Sequence, residues 1–478
     1  MQLVVLTVLR RLNNSNGILR YFIALWESKA VFVLLRLLKR NATMYPGFIA
    51  LKICPDYLAR TKKSPNVLCV TGTNGKTTTT NMVADILSQS GMKVVSNRYG
   101  SNINTGVATA LTHSVNIFGK PKIDALVLEV DERFSRLIMP FIKPDYLIVT
   151  NLFRDSIKRN AHPEYIFSIL DTYVPKETKL VLNADCLQSS QLLKDNKRVY
   201  FGIDKLDTDV TECVNLINDF SICPVCDEKL KFNYLRYHHI GNAYCPKCDF
   251  KSFDADYRLT NIDYDNKTIT VLHNGKEDVY PMVNRALYNI YNELAAISLM
   301  SEFGVDLNKV KEYMAKISVT QTRYNEAKAG KTEIIRTMAK GQNSVACSRS
   351  FDFVSHESGE KTVFIMIDDL FERRDSSEFV GWIYDVDFEF LNIPDIKQIV
   401  LAGPRCYDYK LRCLIAGIPE DRILCEQDEF KAVDIMDKDI DLLYLLHDTS
   451  TYDLACEVEA KIKTVFEKAY KGEGGGQA

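Results

Sequence analysis

The stretch VLCVTGTNGKTTTTNMVADIL, residues 67–87, decides the fold class of this chain. Its first residues are apolar and largely β-branched, which predicts a buried strand. A glycine-containing loop follows, and apolar residues then recur at helical spacing from Met82 to Leu87, ahead of Gly91. Unpaired N–H groups and the positive end of the helix dipole attract anions at such a junction. The stretch therefore predicts a phosphate-binding site in an α/β domain.

The loop differs from the general P-loop at one position, because Val70 stands where that motif has its first glycine. Lys76 is predicted to neutralise the β- and γ-phosphates, and Thr77 to offer its hydroxyl to Mg²⁺. The residues of the loop that are predicted to bind ATP are Gly72, Thr73, Asn74, Gly75, Lys76, Thr77 and Thr78.

The sequence TGTNGKTTT resembles the ATP loop of the Mur ligase superfamily, which includes peptidoglycan amino-acid ligases and folylpolyglutamate synthases. In that superfamily the γ-phosphate goes to a carboxylate, and an amine attacks the resulting acyl phosphate. The resemblance implies a Mur ligase-type P-loop ATPase domain that uses ATP and Mg²⁺, rather than a motor or a switch.

A second predicted strand, DALVLEVDE at residues 124–132, ends in carboxylates. The resemblance places Glu129 where the superfamily has a glutamate that holds Mg²⁺, a cation that prefers oxygen ligands. Lys76 and Glu129 are therefore the predicted catalytic residues of this domain. An acidic, solvated strand end is the alternative. The loop NRYGSNINTG, residues 97–106, matches a substrate-side loop of the resembled ligases.

Two further segments match nucleotide-contacting positions of the superfamily. The predicted helix LYNIYNELAAISL, residues 287–299, carries Asn289 and Asn292 at those positions, with an exposed pair of helix asparagines as the alternative. In TQTRYNEAK, Arg323 matches the arginine before the C-terminal domain, where a cation reaches the transferred phosphoryl group. The usual glycine before that arginine is Thr322 here.

Thirteen cysteines, an odd number, include two CxxC pairs, which favours metal binding in a reducing cytoplasm over a disulfide framework. The paired residues are Cys223, Cys226, Cys245 and Cys248. Eighteen residues separate the pairs, and four thiolates at this spacing predict the closed tetrahedral shell of a structural zinc ribbon. His238 and His239 are expected at the surface rather than as ligands.

The zinc ribbon narrows the resemblance, because ordinary Mur ligases lack it. NLFRD at residues 151–155 and the segments GPRCYDYKLRCLIAG and TSTYDLA resemble the MurT family, the ligase subunits of lipid II isoglutaminyl synthases. Strands and helices alternate in the C-terminal part, which predicts a Rossmann-like α/β domain. The resemblance implies that ammonia from a GatD-like glutaminase subunit converts the D-glutamate α-carboxylate of lipid II to D-isoglutamine.

The resemblance also implies a residue that serves the glutaminase. The segment GWIYDVDFEFL, residues 381–391, contains Asp385, Asp387 and Glu389. An aspartate here is expected to orient the histidine of the partner's Cys-His pair. Asp385 is the first candidate and Asp387 the second, and three acids on a solvated edge without a function are the alternative.

Two segments depart from the family pattern. DDLFERRDSSEFVGW, residues 368–382, lacks the glycine of a D-G-x-D-x-S-W run and contains extra residues. MAKGQNSVACSRS, residues 338–350, degrades a lysine-asparagine-proline-glycine element. Both lie on the substrate and partner side, which leaves open a paralogue with another carboxylate or amine substrate, or a non-catalytic ATP-binding scaffold.

The N-terminal segment is expected to pack on a domain as two amphipathic helices. Charged residues interrupt its apolar runs before any reaches the roughly 20 residues of a membrane span. No signal peptide is predicted, because no basic region precedes the first apolar run. A membrane-surface role through Arg36, Lys39 and Arg40 is the alternative. The predicted location is the cytoplasm, at the inner face of the membrane where the lipid substrate requires it.

Composition argues against a nucleic-acid partner. The net charge is −2, and the basic and aromatic segment KLKFNYLRYHHIGNAY in the ribbon has only three Lys and Arg residues. The predicted domain limits are 1–49 for the N-terminal helical segment, 50–320 for the central ATP-binding domain with the zinc ribbon at 220–252, 321–471 for the C-terminal ligase domain and 472–478 for a flexible tail.

Overall fold

The computed structural model describes residues 2–98, 101–154, 162–316, 324–368 and 380–473, with side chains except at 2–16, 324 and 471–473. The chain divides into two compact units. Unit 1 contains Met1–Leu152, Pro163–Cys213 and Phe220–Ile317, and unit 2 contains Phe153–His162, Val214–Asp219 and Ser318–Ala478.

Unit 1 contains a mixed sheet and a separate hairpin. Its helices are α1 (Gln2–Leu37), α2 (Tyr45–Ile53), α3 (Tyr57–Arg60), α4 (Lys76–Gln89), α5 (Asn104–Ser114), α6 (Ser135–Ile142), α7 (Pro163–Tyr173), α8 (Leu287–Phe303) and α9 (Leu307–Met314). Its strands are β1 (Asn66–Thr71), β2 (Val94–Ser96), β3 (Ala125–Glu129), β4 (Tyr146–Val149), β5 (Lys179–Asn183), β6 (Arg198–Ile203), β7 (Lys231–Tyr237), β8 (Ile240–Tyr244), β9 (Tyr257–Asp263), β10 (Thr268–His273) and β11 (Lys276–Pro281).

The nine-stranded sheet of unit 1 has the order β11-β10-β9-β6-β5-β4-β1-β3-β2. Pairing is parallel from β2 to β9 and antiparallel in β9-β10-β11. Strand β1 lies between β3 and β4, so the order in which successive strands are added to the sheet reverses at β1. Open α/β sheets bind ligands at such a position, beyond the carboxyl ends of the strands. The predicted α/β fold is confirmed, and the loop at residues 72–75 lies at this end of β1.

The N-terminal helix differs from the prediction of two helices. Helix α1 is continuous from Gln2 to Leu37. Its inner face buries Tyr21, Ala24, Leu25 and Ser28, and Gly17 lies against the guanidinium group of Arg60. Packing of an inner face in this way stabilises a long helix.

Unit 2 is a smaller α/β unit that also has a predominantly parallel sheet. Its strands are β12 (Tyr324–Ala329), β13 (Thr332–Met338), β14 (Lys361–Met366), β15 (Ile396–Ala402), β16 (Ile423–Glu426) and β17 (Leu442–His447), and its helices are α10 (Ser344–His356), α11 (Cys406–Ile415), α12 (Glu429–Ile435) and α13 (Tyr452–Glu473). The sheet order is β12-β13-β17-β14-β15-β16, with only β12 antiparallel to its neighbour.

Both faces of the sheet in unit 2 are covered. Phe351 of α10 and Tyr409 of α11 belong to one apolar cluster, and Val433 of α12 and Ile462 of α13 to another. This arrangement is the Rossmann-like architecture that the sequence predicted. Within the part of the chain that the structure describes, no helix is both long and apolar enough to cross a membrane.

Candidate nucleotide site and four-cysteine cluster

The end of β4 holds the glycine loop in place. The N–H of Thr73 donates to the carbonyl oxygen of Asn151 at 2.9 Å, and the N–H of Asn74 donates to Asn151 Oδ1 at 3.0 Å. Thr150 Oγ1 donates to the carbonyl oxygen of Asn74 at 2.6 Å. Gly72 has a φ of 130°, and a Cβ there would lie less than 3.0 Å from Thr150 Oγ1. Only glycine therefore fits where the loop leaves β1.

Gly75 ends the loop in a left-handed conformation, with a φ of 87°, and α4 begins at Lys76. A Cβ on Gly75 would lie less than 3.0 Å from Asn292 Oδ1, so α8 approaches the loop closely at this point. The first N–H groups of a helix have no partner within it. The start of α4 thus offers backbone donors to an anion.

The Lys76 ammonium lies within the loop. It donates to the carbonyl oxygens of Gly72 and Thr73, the latter at 3.2 Å, and to Glu132 Oε2 at 2.9 Å. Burial alone would lower the pKa of Lys76, but the carboxylates of Glu132 and Glu129 raise it, so the group is a cation. Sequence reasoning missed Glu132, whose only signal was its place among the acids that follow β3.

Glu129 is the last residue of β3, and its position is set by two asparagines. Asn97 pairs with its backbone through hydrogen bonds of 2.8 and 2.9 Å, and Asn102 Nδ2 donates to Glu129 Oε1 at 3.0 Å. Both asparagines come from the loop that was predicted to lie on the substrate side. Asp131 and Glu132 follow Glu129 and are also buried, which gathers hard oxygen ligands of the kind that Mg²⁺ prefers beside the loop.

The structure describes four of the other residues that were predicted to contact the nucleotide, and it does not describe the fifth. Asn292 is buried beside Gly75, and its Nδ2 donates to Asn289 Oδ1 at 3.3 Å, with Asn289 half-buried on the same helix. Thr77 and Thr78 are half-buried in the first turn of α4. Arg323 lies outside the described residues, as does Thr322.

A buried charged network lies on the other side of this turn of α8. Tyr291 Oη donates to Asp185 Oδ2 at 2.6 Å, and Arg236 of β7 contacts the same oxygen at 2.7 Å. Arg236 also pairs with Asp209 at 3.2 Å, and the side chains of Arg236, Asp185 and Asp209 are almost completely buried. The hairpin of β7 and β8 is thereby joined to the helix that carries Asn292.

The four predicted zinc ligands converge. The sulfur atoms of Cys223, Cys226, Cys245 and Cys248 all lie within 4.8 Å of one another. The N–H groups of Val225 and Lys247 point to Cys223 Sγ and Cys245 Sγ at 3.4 Å, which is how a CxxC turn supports a bound thiolate. This four-cysteine group fits one tetrahedral metal ion.

The expectation for the two histidines of the hairpin is wrong. His238 and His239 are buried, not at the surface. His239 Nε2 lies 3.4 Å from Cys186 Sγ, and its ring packs edge-on against Phe220. The hairpin connection therefore turns into unit 1, where an apolar cluster surrounds the cysteines, instead of into solvent.

The two candidate aspartates of unit 2 differ in burial and in their partners. Asp387 is buried, and its carboxylate accepts from Asn215 Nδ2 at 2.9 Å and from the N–H of Leu216 at 2.6 Å. Asp385 keeps about a third of its side chain exposed and pairs with Arg154 at 3.4 Å. Arg154 is bound more firmly to Asp219, which raises the pKa of the guanidinium group. Asp387 is thus committed to internal contacts, whereas Asp385 remains accessible.

Comparisons with known proteins agree with this architecture. Family models of the Mur ligase middle domain and of the MurT ligase C-terminal domain match residues 70–245 and 341–452. A pseudomurein peptide ligase type C from Methanothermus fervidus has the same fold, with a TM-score of 0.65, 20% identity and coverage of 86% of this chain and 81% of that one. MurF from Thermotoga maritima, solved in complex with ADP, gives a TM-score of 0.56, 13% identity and coverage of 91% and 85%. The fold and the glycine loop define the class as the Mur ligases.

Two curated relatives are named as subunit MurT of lipid II isoglutaminyl synthase (glutamine-hydrolyzing). The Streptococcus pneumoniae protein is 31% identical, over 82% of this chain and 86% of its own length. A Staphylococcus aureus protein is 29% identical, over 83% and 88%. The chain belongs to the MurT family of Mur ligases, and the family resemblance predicted from its motifs is confirmed.

Proposed function

We propose that this chain is the ATP-dependent ligase subunit of a lipid II isoglutaminyl synthase. The observation that carries the proposal is the glycine loop with Lys76 and Glu129, in a chain similar over most of its length to relatives named for that activity. The product would be D-isoglutamine, formed at the α-carboxylate of D-glutamate in the stem peptide.

Binding of ATP is assigned to the loop and the start of α4. Backbone donors and Lys76 would hold the β- and γ-phosphates, and Asn292 would lie beside them. The carboxylates that follow β3 and the Thr77 hydroxyl would hold Mg²⁺, which neutralises phosphate charge during transfer. Lys76 would exchange its contact with Glu132 for phosphate oxygens. Arg323 and Asn289 remain predicted contacts of the nucleotide.

The reaction needs an activated carboxylate, because a carboxylate resists amines at neutral pH. One carboxylate oxygen attacks the γ-phosphorus atom, and ADP leaves, which gives an acyl phosphate. The nitrogen of ammonia then attacks the acyl carbon, phosphate departs with the former carboxylate oxygen, and a proton leaves the nitrogen. Phosphate is a far better leaving group than the oxide that an unactivated carboxylate would have to release, so amide formation becomes favourable.

Ammonia is assigned to a GatD-like glutaminase subunit. The relatives are named as subunits, which supports a complex. Asp385 is proposed to orient the histidine of the partner's Cys-His pair, since Asp387 is buried in internal hydrogen bonds. The four cysteines are proposed to hold a structural zinc ion. The reaction would take place in the cytoplasm at the inner face of the membrane, where the lipid substrate is displayed, without a nucleic-acid partner.

The test is amidation of lipid II by the co-purified complex of this chain and a GatD-like subunit, with glutamine and ATP. Mass spectrometry of the stem peptide should show one amide in place of one carboxyl group. Lys76→Ala should abolish ATP turnover without changing metal content or partner binding. Lys93→Ala, at an exposed lysine of the same unit, is the matched control. A confirmed complex without amidated product would contradict the proposal.

A second candidate is a Mur-type ligase that uses another carboxylate or amine. The segment at residues 338–350, which degrades a family element on the substrate side, favours this candidate. Its Asn343 caps α10 instead, because Asn343 Oδ1 accepts the N–H of Ala346 at 2.9 Å. The other segment that departs from the family pattern, residues 368–382, lies outside the described residues from 369 to 379. A screen of amines and peptide acceptors with ATP turnover as the readout separates the two ligases. Binding of ATP without turnover in the presence of any acceptor would leave the ATP-binding scaffold.

A further inference from the structure

The outer face of α1 carries a stripe of apolar side chains that no described residue covers. Leu19, Ile23, Trp26, Val33 and Leu37 recur at intervals of three, four or seven residues and are all exposed, with Leu37 at 76%. Such spacing places them on one side of the helix, opposite the face that packs on unit 1. Over this length the stripe extends for about 27 Å.

A neighbouring turn extends this apolar surface. Trp26 Nε1 donates to the carbonyl oxygen of Ile117 at 2.9 Å, which joins α1 to the turn that follows α5. Ile117 and Phe118 on this turn are also exposed, Phe118 at 68%. We call this surface, formed by the stripe together with Ile117 and Phe118, the outer apolar face. Exposed apolar surfaces that extend over several elements indicate a binding function.

Basic residues outnumber acidic ones in the segment that carries the outer apolar face. Residues 1–63 contain eleven Lys and Arg and only two acidic residues, in a chain whose net charge is −2. Arg36, Lys39 and Arg40 are exposed where the stripe ends. Basic residues at the C-terminus of a helix are also stabilised by the negative end of the helix dipole. That stabilisation does not explain why Trp26 and Leu37 are exposed. A basic helix with exposed Trp and Leu side chains is typical of segments that lie in a membrane interface.

Helix α1 is held firmly enough to present this face. Lys29 Nζ donates to the carbonyl oxygens of Thr112 and Val115, at 2.6 and 2.7 Å, at the carboxyl end of α5. Ser28 Oγ lies 3.0 Å from Thr112 Oγ1 in the buried contact. Because the inner face is fixed in this way, the outer face remains turned away from unit 1.

We propose that the outer apolar face of α1, with Arg36, Lys39 and Arg40, docks the protein on an anionic phospholipid bilayer. Trp26 and Leu37 would enter the level of the headgroups, and the three cations would contact lipid phosphates. The inference goes beyond the proposed function, since it requires neither ATP nor the acceptor, and it supplies a means of meeting a lipid-borne acceptor.

The experiment uses the full chain and vesicles of phosphatidylcholine, with or without phosphatidylglycerol. Co-sedimentation should occur with the anionic vesicles and weaken as salt is added, because salt screens the attraction. Trp26 fluorescence should shift to the blue on binding, and Trp26→Phe should remove the shift. Trp382, the other tryptophan, is already buried. Absence of binding to anionic vesicles at low salt would overturn the proposal.

Two sets of variants separate charge from apolar contact. The triple variant Arg36→Glu, Lys39→Glu, Arg40→Glu should bind at least about a hundredfold more weakly, since each basic residue near an anionic surface contributes about fivefold. Lys194→Glu, Lys205→Glu, Lys309→Glu changes the net charge equally at exposed positions elsewhere and should bind far better than the first triple variant. Equal loss in the two triple variants would contradict a localised docking face.

The double variant Val33→Asp, Leu37→Asp should also lose vesicle binding and remain folded, because both side chains are exposed. A change from dimer to monomer in this variant, measured by light scattering, would assign the face to a second copy of the chain and overturn the proposal. Amidation of detergent-solubilised lipid II should be unaffected by any of these variants. Vesicle binding by the natural chain, without amidation by its co-purified complex with a GatD-like subunit, would refute the proposed function and leave the docking face standing.

Discussion

Glu293 provides a test of how burial near the nucleotide site couples stability to pH. The residue follows Asn292 in α8, and its side chain is completely buried. Oε1 accepts the N–H of Asn284 at 2.9 Å, whereas Oε2 has no hydrogen-bond partner among the described residues. Burial raises the pKa of this carboxyl group from 4.5 to about 8. The folded protein therefore holds a neutral glutamic acid at pH 7.

The raised pKa determines the sign of the effect. Below pH 4.5 both states are protonated, and the contribution of the group to stability is fully present. As the pH rises to 8, the folded state keeps a proton that the unfolded chain has lost. The free energy of unfolding then falls by about 1.4 kcal/mol per pH unit, or about 5 kcal/mol across the interval.

The perturbation is Glu293→Gln, which keeps the acceptor for Asn284 and removes the titration. Urea unfolding followed by circular dichroism should give free energies that agree within about 1 kcal/mol at pH 5 and differ by about 3 to 5 kcal/mol at pH 8, with the variant more stable. Curves of the two proteins that run parallel from pH 5 to 8 would refute the reasoning.

Glu302→Gln serves as a control of opposite sign. Burial alone would raise the pKa of Glu302, but its hydrogen bonds with Lys179 and Tyr257 lower it. Its contribution is therefore present above the unfolded pKa and is lost as the pH falls through the folded pKa. This variant should be less stable than the natural chain at pH 8, and the difference should shrink below pH 4.

Three further variants test the site and its support. Gly75→Ala should weaken nucleotide binding at least about tenfold by calorimetry, because the added Cβ would strike Asn292. Gly91→Ala is the control: Gly91 also has a positive φ, but no atom lies near its added Cβ, and nucleotide binding should not weaken. Arg236→Met should lower the free energy of unfolding by about 3 to 5 kcal/mol, because Asp185 and Asp209 lose their buried cation. Arg258→Met, which breaks the exposed ion pair with Asp204, should lower it by less than about 1 kcal/mol. Cys245→Ser should lose bound metal by elemental analysis and Cys213→Ser should retain it; metal bound equally by both would contradict the four-cysteine site.

The glycine loop could be predicted because its chemistry is local. A strand, two glycines with positive φ and a helix that begins at Lys76 are all encoded within residues 66–89. The contact between Lys76 and Glu132 could not be predicted, since it depends on how β3 pairs with β1. The register aligns Val70 with Glu129, and the turn after β3 then brings Glu132 back to the loop. A sequence with three neighbouring acids does not reveal which one reaches the lysine.

The two histidines were misjudged for a related reason. A hairpin between two CxxC pairs suggests an exposed knuckle, but the hairpin of β7 and β8 packs against unit 1 through Ile240, which bridges to Cys186. Such contacts join residues about fifty positions apart, and periodicity within the hairpin carries no information about them. The same holds for Arg236, whose side chain is 1% exposed and pairs with Asp185.

The ribbon and the glycine loop meet at one turn of α8. Tyr291 contacts the Asp185–Arg236 network, and the next residue, Asn292, contacts Gly75. Consecutive helical residues point about 100° apart, so a rotation of α8 that satisfies one contact moves the other. The four cysteines hold both ends of the ribbon segment whose hairpin carries Arg236, and a metal ion there would restrict the movement of that side chain. Cys245→Ser should therefore weaken nucleotide binding as well as metal binding, and unchanged nucleotide affinity in the metal-free variant would show that the Asp185 network holds α8 without the ribbon.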